Sequence, residues 1–243
     1  MKRLASKTIA AVRGALNRAA RTNRPRQGEL DFDRTIRRNL KNWNVEQKKL
    51  IADRFVGYAR RRRSLREVVL CVDQSGSMGR SVVYSSIFGA VLASVPAIKT
   101  RLVFFDTNVV DMTERLTDPV DVLFGAQLGG GTDINGALKY CQGRIAQPKK
   151  TTLVLITDLY EGGNVDHMFA RVEELIRSGV RFICLTALDD EGSPAYDSSN
   201  AQKLATLGVP TFACTPDLFP DLMATALNGG DVARWAGRNV ARR

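Results

Sequence analysis

The residues of this chain best suited to chemistry are oxygen ligands gathered in three short stretches. In Glu67-Val-Val-Leu-Cys-Val-Asp-Gln-Ser-Gly-Ser77 an apolar run, Val68 to Val72, stops at a carboxylate, Asp73, followed by two hydroxyls, Ser75 and Ser77, around Gly76. The second stretch is Gly129-Gly-Gly-Thr-Asp133, and the third is Ile156-Thr-Asp158, again an apolar run closed by a carboxylate. Together Asp73, Ser75, Ser77, Thr132 and Asp158 make an all-oxygen set. Carboxylates and neutral hydroxyls suit a small hard cation that wants near-octahedral geometry at about 2.0–2.1 Å and keeps several of its waters. Mg2+ fits that description, with Mn2+ or Ca2+ as substitutes; Zn2+, which prefers His and Cys, does not. The bland competing reading makes the same side chains loop caps, with Ser77 as a helix N-cap and Asp73 and Asp158 bonding backbone N–H groups.

For these stretches to meet, the elements before them must deliver them to one edge. An apolar run bounded by turn residues reads as a buried strand, and an open parallel sheet places ligands outside the carboxyl ends of its strands. From residue 67 onward the chain alternates. Strands are expected at 101–105, 152–156, 182–188 and 211–214, with an edge hairpin returning over 109–112 through Asp106-Thr-Asn108. Helices are expected at 80–95, 119–124, 134–145, 165–177, 200–207 and 216–227, two of them closed by Gly179 and Gly208. Strands separated by helices of this length require parallel pairing with crossovers. The expectation for 67–228 is therefore a doubly wound, mainly parallel α/β sheet with helices on both faces, followed by a tail over 229–243.

The segment before it has a different surface. Residues 1–66 carry 20 Lys/Arg against 5 Asp/Glu, whereas residues 67–243 carry 16 against 20. Residues 1–28 read as a basic arm and linker, and 29–66 as a helical extension. In the latter, Ile36, Leu40 and Trp43 share one helical spacing, and Leu50, Ile51, Phe55 and Tyr58 another. Such stripes are expected to bury against the following domain or another neighbour. The run Arg60, Arg61, Arg62 and Arg63 is either a solvated helix end or a set of contacts for an anionic partner. Basic runs bind phosphate backbones with strong salt dependence, which keeps nucleic-acid or ribonucleoprotein binding through residues 1–66 open. Against it, Trp43, Phe55 and Tyr58 sit at core-like spacing rather than interleaved with the basic residues. No apolar run approaches the roughly 18 residues of a membrane span. Lys7 and Arg13 interrupt the N-terminal apolar residues, which argues against a targeting peptide. Cys71, Cys141, Cys184 and Cys214 stand singly, the pattern of reduced thiols in a cytoplasmic protein.

Asp-x-Ser-Gly-Ser, a downstream Gly-Gly-Thr-Asp and a Thr-Asp closing the next long strand together resemble the metal-ion-dependent adhesion site of the von Willebrand factor type A (VWA) domain, over about residues 65–228. The resemblance implies that Ser75 and Ser77 bind a divalent ion directly, Thr132 directly or through water, and Asp73 and Asp158 mostly through water. It also implies an open coordination position filled by a partner's carboxylate. The stretch Thr35-Ile-Arg-Arg-Asn-Leu40 and the arginine run are similar to bacterial CoxE-like proteins, which accompany MoxR-class AAA+ ATPases. The work so implied is that of a non-enzymatic adaptor. Enzymatic readings are thinner. A phosphotransferase using Asp73 as nucleophile finds Ser75 where a second acid is wanted and no obviously placed lysine. A serine hydrolase has only His167, at the start of an exposed amphipathic helix. Asp106 and Asp133 read as turn residues or as supports at the site's edge. Glu161 with Gly162-Gly163 either shapes the rim or is plain loop.

Overall fold

The smaller of two compact units, Arg13–Ser64, is a mixture of short strands and one helix. The computed structural model describes residues 17–25, 28, 30–59, 66–78, 98–116, 129–186, 195–215 and 218–240. Strand β1 (Asn17–Thr22) leads to helix α1 (Phe32–Asn39), which is followed by a 3-10 turn, Leu40–Asn42. A two-residue hairpin follows, β2 (Trp43–Asn44) with β3 (Lys49–Leu50), and then β4 (Gly57–Ala59), which pairs antiparallel with β1. Asp31 caps α1 by accepting from the Arg34 N–H at 3.2 Å.

The expected second helix over 50–58 does not form, which corrects the all-helical reading of the extension. Its cause is a pair of polar side chains one turn apart on α1. The Asn39 amide donates to the carbonyls of Thr35 and Arg54 at 2.7 Å and accepts from the N–H groups of Asp53 and Arg54 at 3.1 Å. Thr35 donates to the Val56 carbonyl and accepts from the Val56 N–H. These bonds occupy the backbone groups that a helix over 53–56 would use for itself. Before them, the Asn44 side chain accepts from the Gln47 N–H at 2.9 Å and sets a turn. The apolar residues are consequently not covered: Ile36, Leu40, Trp43, Ile51 and Phe55 are between 45% and 62% exposed. Residues 1–16 of the basic arm lie outside the described residues. So do Arg60, Arg61, Arg62 and Arg63, the four side chains read either as a solvated helix end or as contacts for an anionic partner.

The larger unit is the α/β sheet. Its elements are β5 (Arg66–Asp73), β6 (Ile98–Phe105), β7 (Val109–Asp111), α2 (Ile134–Arg144) and β8 (Thr151–Thr157). Then come α3 (Val165–Ser178), β9 (Arg181–Thr186), α4 (Ser198–Thr206), β10 (Thr211–Ala213), α5 (Phe219–Leu227) and α6 (Val232–Asn239). The strand order is β10-β9-β8-β5-β6-β7, parallel throughout except for the β6–β7 hairpin at one edge. The helices expected at 80–95 and 119–124 lie outside the described residues. Residues read as a tail contain α6, capped by Asp231, which accepts from the Arg234 N–H at 2.9 Å.

Two apolar cores flank the sheet, as strands buried on both faces demand. Val68, Leu70 and Val72 of β5 point to one core, shared with Phe104, Ile156 and the Phe219, Leu222 and Met223 of α5. Val69 and Cys71 point to the other, shared with Ala137, Leu138 and Cys141 of α2, Val172 of α3 and Leu204 of α4. All four cysteines are free thiols, three of them buried. Among the described residues no helix is long and apolar enough to cross a membrane. Because β6 follows β5 on one side and β8 on the other, the winding reverses at β5, and its carboxyl end is the topological switch point where such sheets bind ligands.

Candidate metal centre

Asp73 is the last residue of β5 and has no exposed surface. One carboxylate oxygen, Oδ1, accepts from the Ser75 N–H at 2.8 Å, and Oδ2 accepts from the Thr157 hydroxyl at 2.7 Å. The register explains the second bond: Val72 pairs with Ile156, so Asp73 and Thr157 are neighbours on one sheet face. Burial pushes the Asp73 carboxyl above its ordinary range, against hydrogen bonds from Thr157 and Ser75, and the nearby charge of Asp158 pushes the same way. The loop then turns. The Gln74 N–H donates to the Phe105 carbonyl at 2.7 Å, and the Met78 N–H to the Ser75 carbonyl at 2.9 Å, closing a 3-10 turn over Gly76–Met78. Met78 is buried and anchors this turn in the core below β5. Ser75 is buried beside Asp73, while the Ser77 side chain lies outside the described residues.

The glycine loop reaches the same edge from the other direction. A Cβ placed on Gly76 would stand 3.9 Å from the Gly129 carbonyl oxygen, so the first and second loops pass close to one another. Asp106, in the turn between β6 and β7, secures the glycines. Its Oδ2 accepts from the N–H groups of Gly129 and Gly130, its Oδ1 from Asn108, and its carbonyl from Asp133 at 2.8 Å. Burial alone would raise the Asp106 carboxyl, but the N–H donors of Asn108, Gly130 and Gly129 outweigh it and hold the group below its ordinary value. Asp133 is the N-cap of α2, accepting from the Gly136 N–H at 2.7 Å. Asp106 and Asp133 are thus turn and cap residues that hold the glycine loop.

In the third loop Asp158 is buried, with its Oδ1 accepting from the Tyr160 N–H at 3.2 Å. Leu159 follows in the left-handed region, φ 64°, although it is a buried leucine. Its N–H donates to the Thr157 hydroxyl at 3.1 Å, and its carbonyl accepts from Asn200 at 3.0 Å and from the Glu161 N–H at 3.1 Å. A left-handed non-glycine residue costs about 1–2 kcal/mol and persists where its surroundings over-determine it. Here its side chain fills the core beside α2 and α3. Leu159→Ala should therefore cost about 2–5 kcal/mol. Leu159→Gly should cost less, because releasing the backbone returns about 1–2 kcal/mol. Urea unfolding of both variants checks the order; a glycine variant less stable than the alanine one would show that the backbone stores no strain.

The third loop is thus hydrogen-bonded to each of the other two at the carboxyl edge of β5 and β8, to the first through Asp73 and Thr157 and to the second through Thr132 and Gly162, while the first passes close to the second at Gly76 and Gly129. The link from third to second is the Gly162 N–H donating to the Thr132 carbonyl at 2.9 Å. Glu161 lies beside it, with Oε2 accepting from the Ile134 N–H at 2.7 Å and Oε1 from the Gly163 N–H at 3.1 Å. Sequence reasoning missed Thr157, Leu159 and Asn200. Thr157 had a signal, since it stands inside the Thr-Asp motif and alternation places it on the face of Asp73. His167 is exposed on the first turn of α3.

The donors brought together suit a small divalent ion kept by oxygen. Among the described residues no group of three or more His, Cys, Asp and Glu side chains could hold a metal by itself. What the edge offers is two carboxylates, Asp73 and Asp158, with the hydroxyl-bearing Ser75 and Thr132. That set fits an ion that retains waters better than one that demands a full protein cage.

Comparison with known proteins agrees with this architecture. A family model described as VWA domain containing CoxE-like protein matches residues 4–223. The protein YehP of Escherichia coli (strain K12) is 38% identical over 242 residues, covering 99% of this chain and 61% of its own length, so the chain spans less than two thirds of that relative. Among solved structures, BatB from Bacteroides thetaiotaomicron gives a TM-score of 0.51 at 13% identity, over 70% of this chain and 99% of that one. A von Willebrand factor type A protein from Catenulispora acidiphila gives 0.51 at 15% identity, over 68% of this chain and 43% of that one. These structural likenesses carry the fold alone, whereas the family model spans both units, and the chain belongs to the CoxE-like family of VWA-domain proteins.

Proposed function

We propose that this protein is a non-enzymatic, metal-dependent adaptor that captures a partner protein through a carboxylate at the carboxyl edge of β5. The observation that carries the proposal is the convergence of the three loops that carry Asp73, Ser75, Thr132 and Asp158, with the third hydrogen-bonded to each of the others. A bound Mg2+, or Mn2+ or Ca2+ in its place, would supply a positive centre that only two protein carboxylates offset, leaving it attractive to an acidic ligand. The chain's own residues prepare for it. Thr157 holds the Asp73 carboxylate in one orientation through Oδ2. The Ser75 N–H holds Oδ1, so the Ser75 backbone is fixed relative to the acid. Ser77, following in the same turn, completes the set in this reading.

Membership of the CoxE-like family suggests a protein partner. We assign that partner to the MoxR class of AAA+ ATPases, or to a client of one, acting in the cytoplasm. Wild-type protein and Ser75→Ala, each used as bait in host lysate with Mg2+ or with chelator, test the assignment. The MoxR-type ATPase should be recovered by wild type in Mg2+ and by none of the other three combinations. Equal recovery in all four, or recovery abolished by salt but not by chelator, would move recognition to the basic extension and its run Arg60, Arg61, Arg62 and Arg63.

A further inference from the structure

Five stations of the glycine loop backbone are tied down from outside it. The Gly129 and Gly130 N–H groups go to Asp106, the Thr132 carbonyl to the Gly162 N–H, the Asp133 N–H to the Asp106 carbonyl, and the Ile134 N–H to Glu161. The two ties from the third loop stand on either side of Asp133, and they come from adjacent residues, Glu161 and Gly162. Space at Gly162 is as restrictive as the bonds: a Cβ there would lie 2.6 Å from the Thr132 carbonyl oxygen. Glu161 has both carboxylate oxygens engaged by backbone N–H groups, which ties its side chain to the loops.

Asp133 caps α2 at the Gly136 N–H, and Glu161 takes a second of the free N–H groups at that helix start, that of Ile134. Bringing a second carboxylate, half-buried and beside the charge of Asp133, to the first N–H of the helix costs desolvation and repulsion. What that bond adds beyond capping is a tie between the loop that carries Thr132 and the loop that carries Asp158. We propose that Glu161 is a positioning residue for the divalent ion: with Gly162 it forms a clasp that sets Thr132 against Asp158 before any ion arrives. The inference rests on the metal reading above and deepens it. A glycine loop left to itself would sample many conformations, and ordering it on binding would weaken affinity. Clasped from the third loop and pinned by Asp106, the backbone on both sides of Thr132 is held by hydrogen bonds.

The test is a double-mutant cycle with Mn2+ as probe, on the full chain, read by calorimetric titration and by the electron paramagnetic resonance signal of free Mn2+. Glu161→Ala should weaken Mn2+ binding about 10-fold or more, the loss usual for supports of a ligand. Thr132→Ala should weaken it as well, and adding Glu161→Ala to Thr132→Ala should cost nothing further, because the clasp acts through Thr132. Glu161→Gln, which keeps an acceptor for the Ile134 N–H, should bind closer to wild type than to Glu161→Ala. Melting in chelator identifies any variant that is merely unfolded, and for such a variant Gly162→Ala replaces Glu161→Ala in the cycle. Independent, additive losses, equal losses for Gln and Ala, or wild-type affinity in Glu161→Ala would each overturn the clasp while leaving the metal reading intact. Failure of wild type itself to bind Mn2+ would overturn the metal reading and the clasp with it.

Discussion

Ser75→Ala is expected to lower Mg2+ or Mn2+ affinity by more than about 100-fold, beyond the 10–100-fold loss that follows removal of a mere ligand support. The substitution removes one oxygen and little else. Ser75 is buried, its N–H bond to Asp73 and its carbonyl bond to the Met78 N–H are made by the backbone, and alanine keeps both. The hydroxyl's bond to Asp73 is lost, but that carboxylate retains Thr157. Stability in chelator should therefore fall by no more than about 0.5–1.5 kcal/mol, the net worth of one hydrogen bond. A variant that folds normally, does not bind metal and does not recover the partner separates the ion's role from the fold's. Retention of metal binding by Ser75→Ala would mean that the ion is held elsewhere.

The second large effect is expected from one methyl group. Gly162→Ala would place its Cβ 2.6 Å from the Thr132 carbonyl oxygen, a backbone atom that cannot rotate away, so the two loops must part. Overpacking of this kind costs about 1–3 kcal/mol. It also breaks the 2.9 Å bond that joins the loops, and metal affinity should fall about 10–100-fold. Gly129→Ala is the control, because nothing lies within 4 Å of a Cβ there. Thermal melting and Mn2+ titration of the two variants should differ sharply, and similar behaviour would remove the reason for a glycine at 162.

Residues at the sheet edge were legible because the sequence marks them twice. Val68 to Val72 and Leu153 to Ile156 are apolar without interruption, as strands covered on both faces must be, and each run ends at or near an acid whose burial would make no sense without a purpose. The helices α3 and α4 were legible from the glycines that close them, Gly179 and Gly208, whereas the caps Asp133, Asn164 and Asp197, each accepting from an N–H three residues on, went unread. What escaped reading depended on contacts distant in the chain. Thr157 is an ordinary strand residue until the register sets it beside Asp73. Leu159 gives no hint of a positive φ, since a buried leucine normally signals a regular core position. In the extension, Leu50, Ile51 and Phe55 imitate a helical stripe, and only the bonds from Thr35 and Asn39, up to 21 residues away, hold that segment out of a helix. Helix α6 had a signal that went unused: Val232, Trp235, Ala236 and Asn239 follow Asp231 at helical spacing.

The exposed apolar stripe of α1 and the hairpin after it belongs to the same lesson. Burial of Thr35 and Asn39 turns Phe32, Ile36 and Leu40 outward, so the pattern of apolar residues alone misplaces the inside of this small unit.

The most direct test of the central claim is a structure determined from crystals grown with Mn2+, with anomalous differences measured at the manganese edge. The account predicts one strong peak at the carboxyl edge of β5, at ligand distance from the Ser75 hydroxyl, flanked by Thr132 and by the carboxylates of Asp73 and Asp158. A well-diffracting crystal with no peak there, or with its manganese bound only elsewhere, would contradict it.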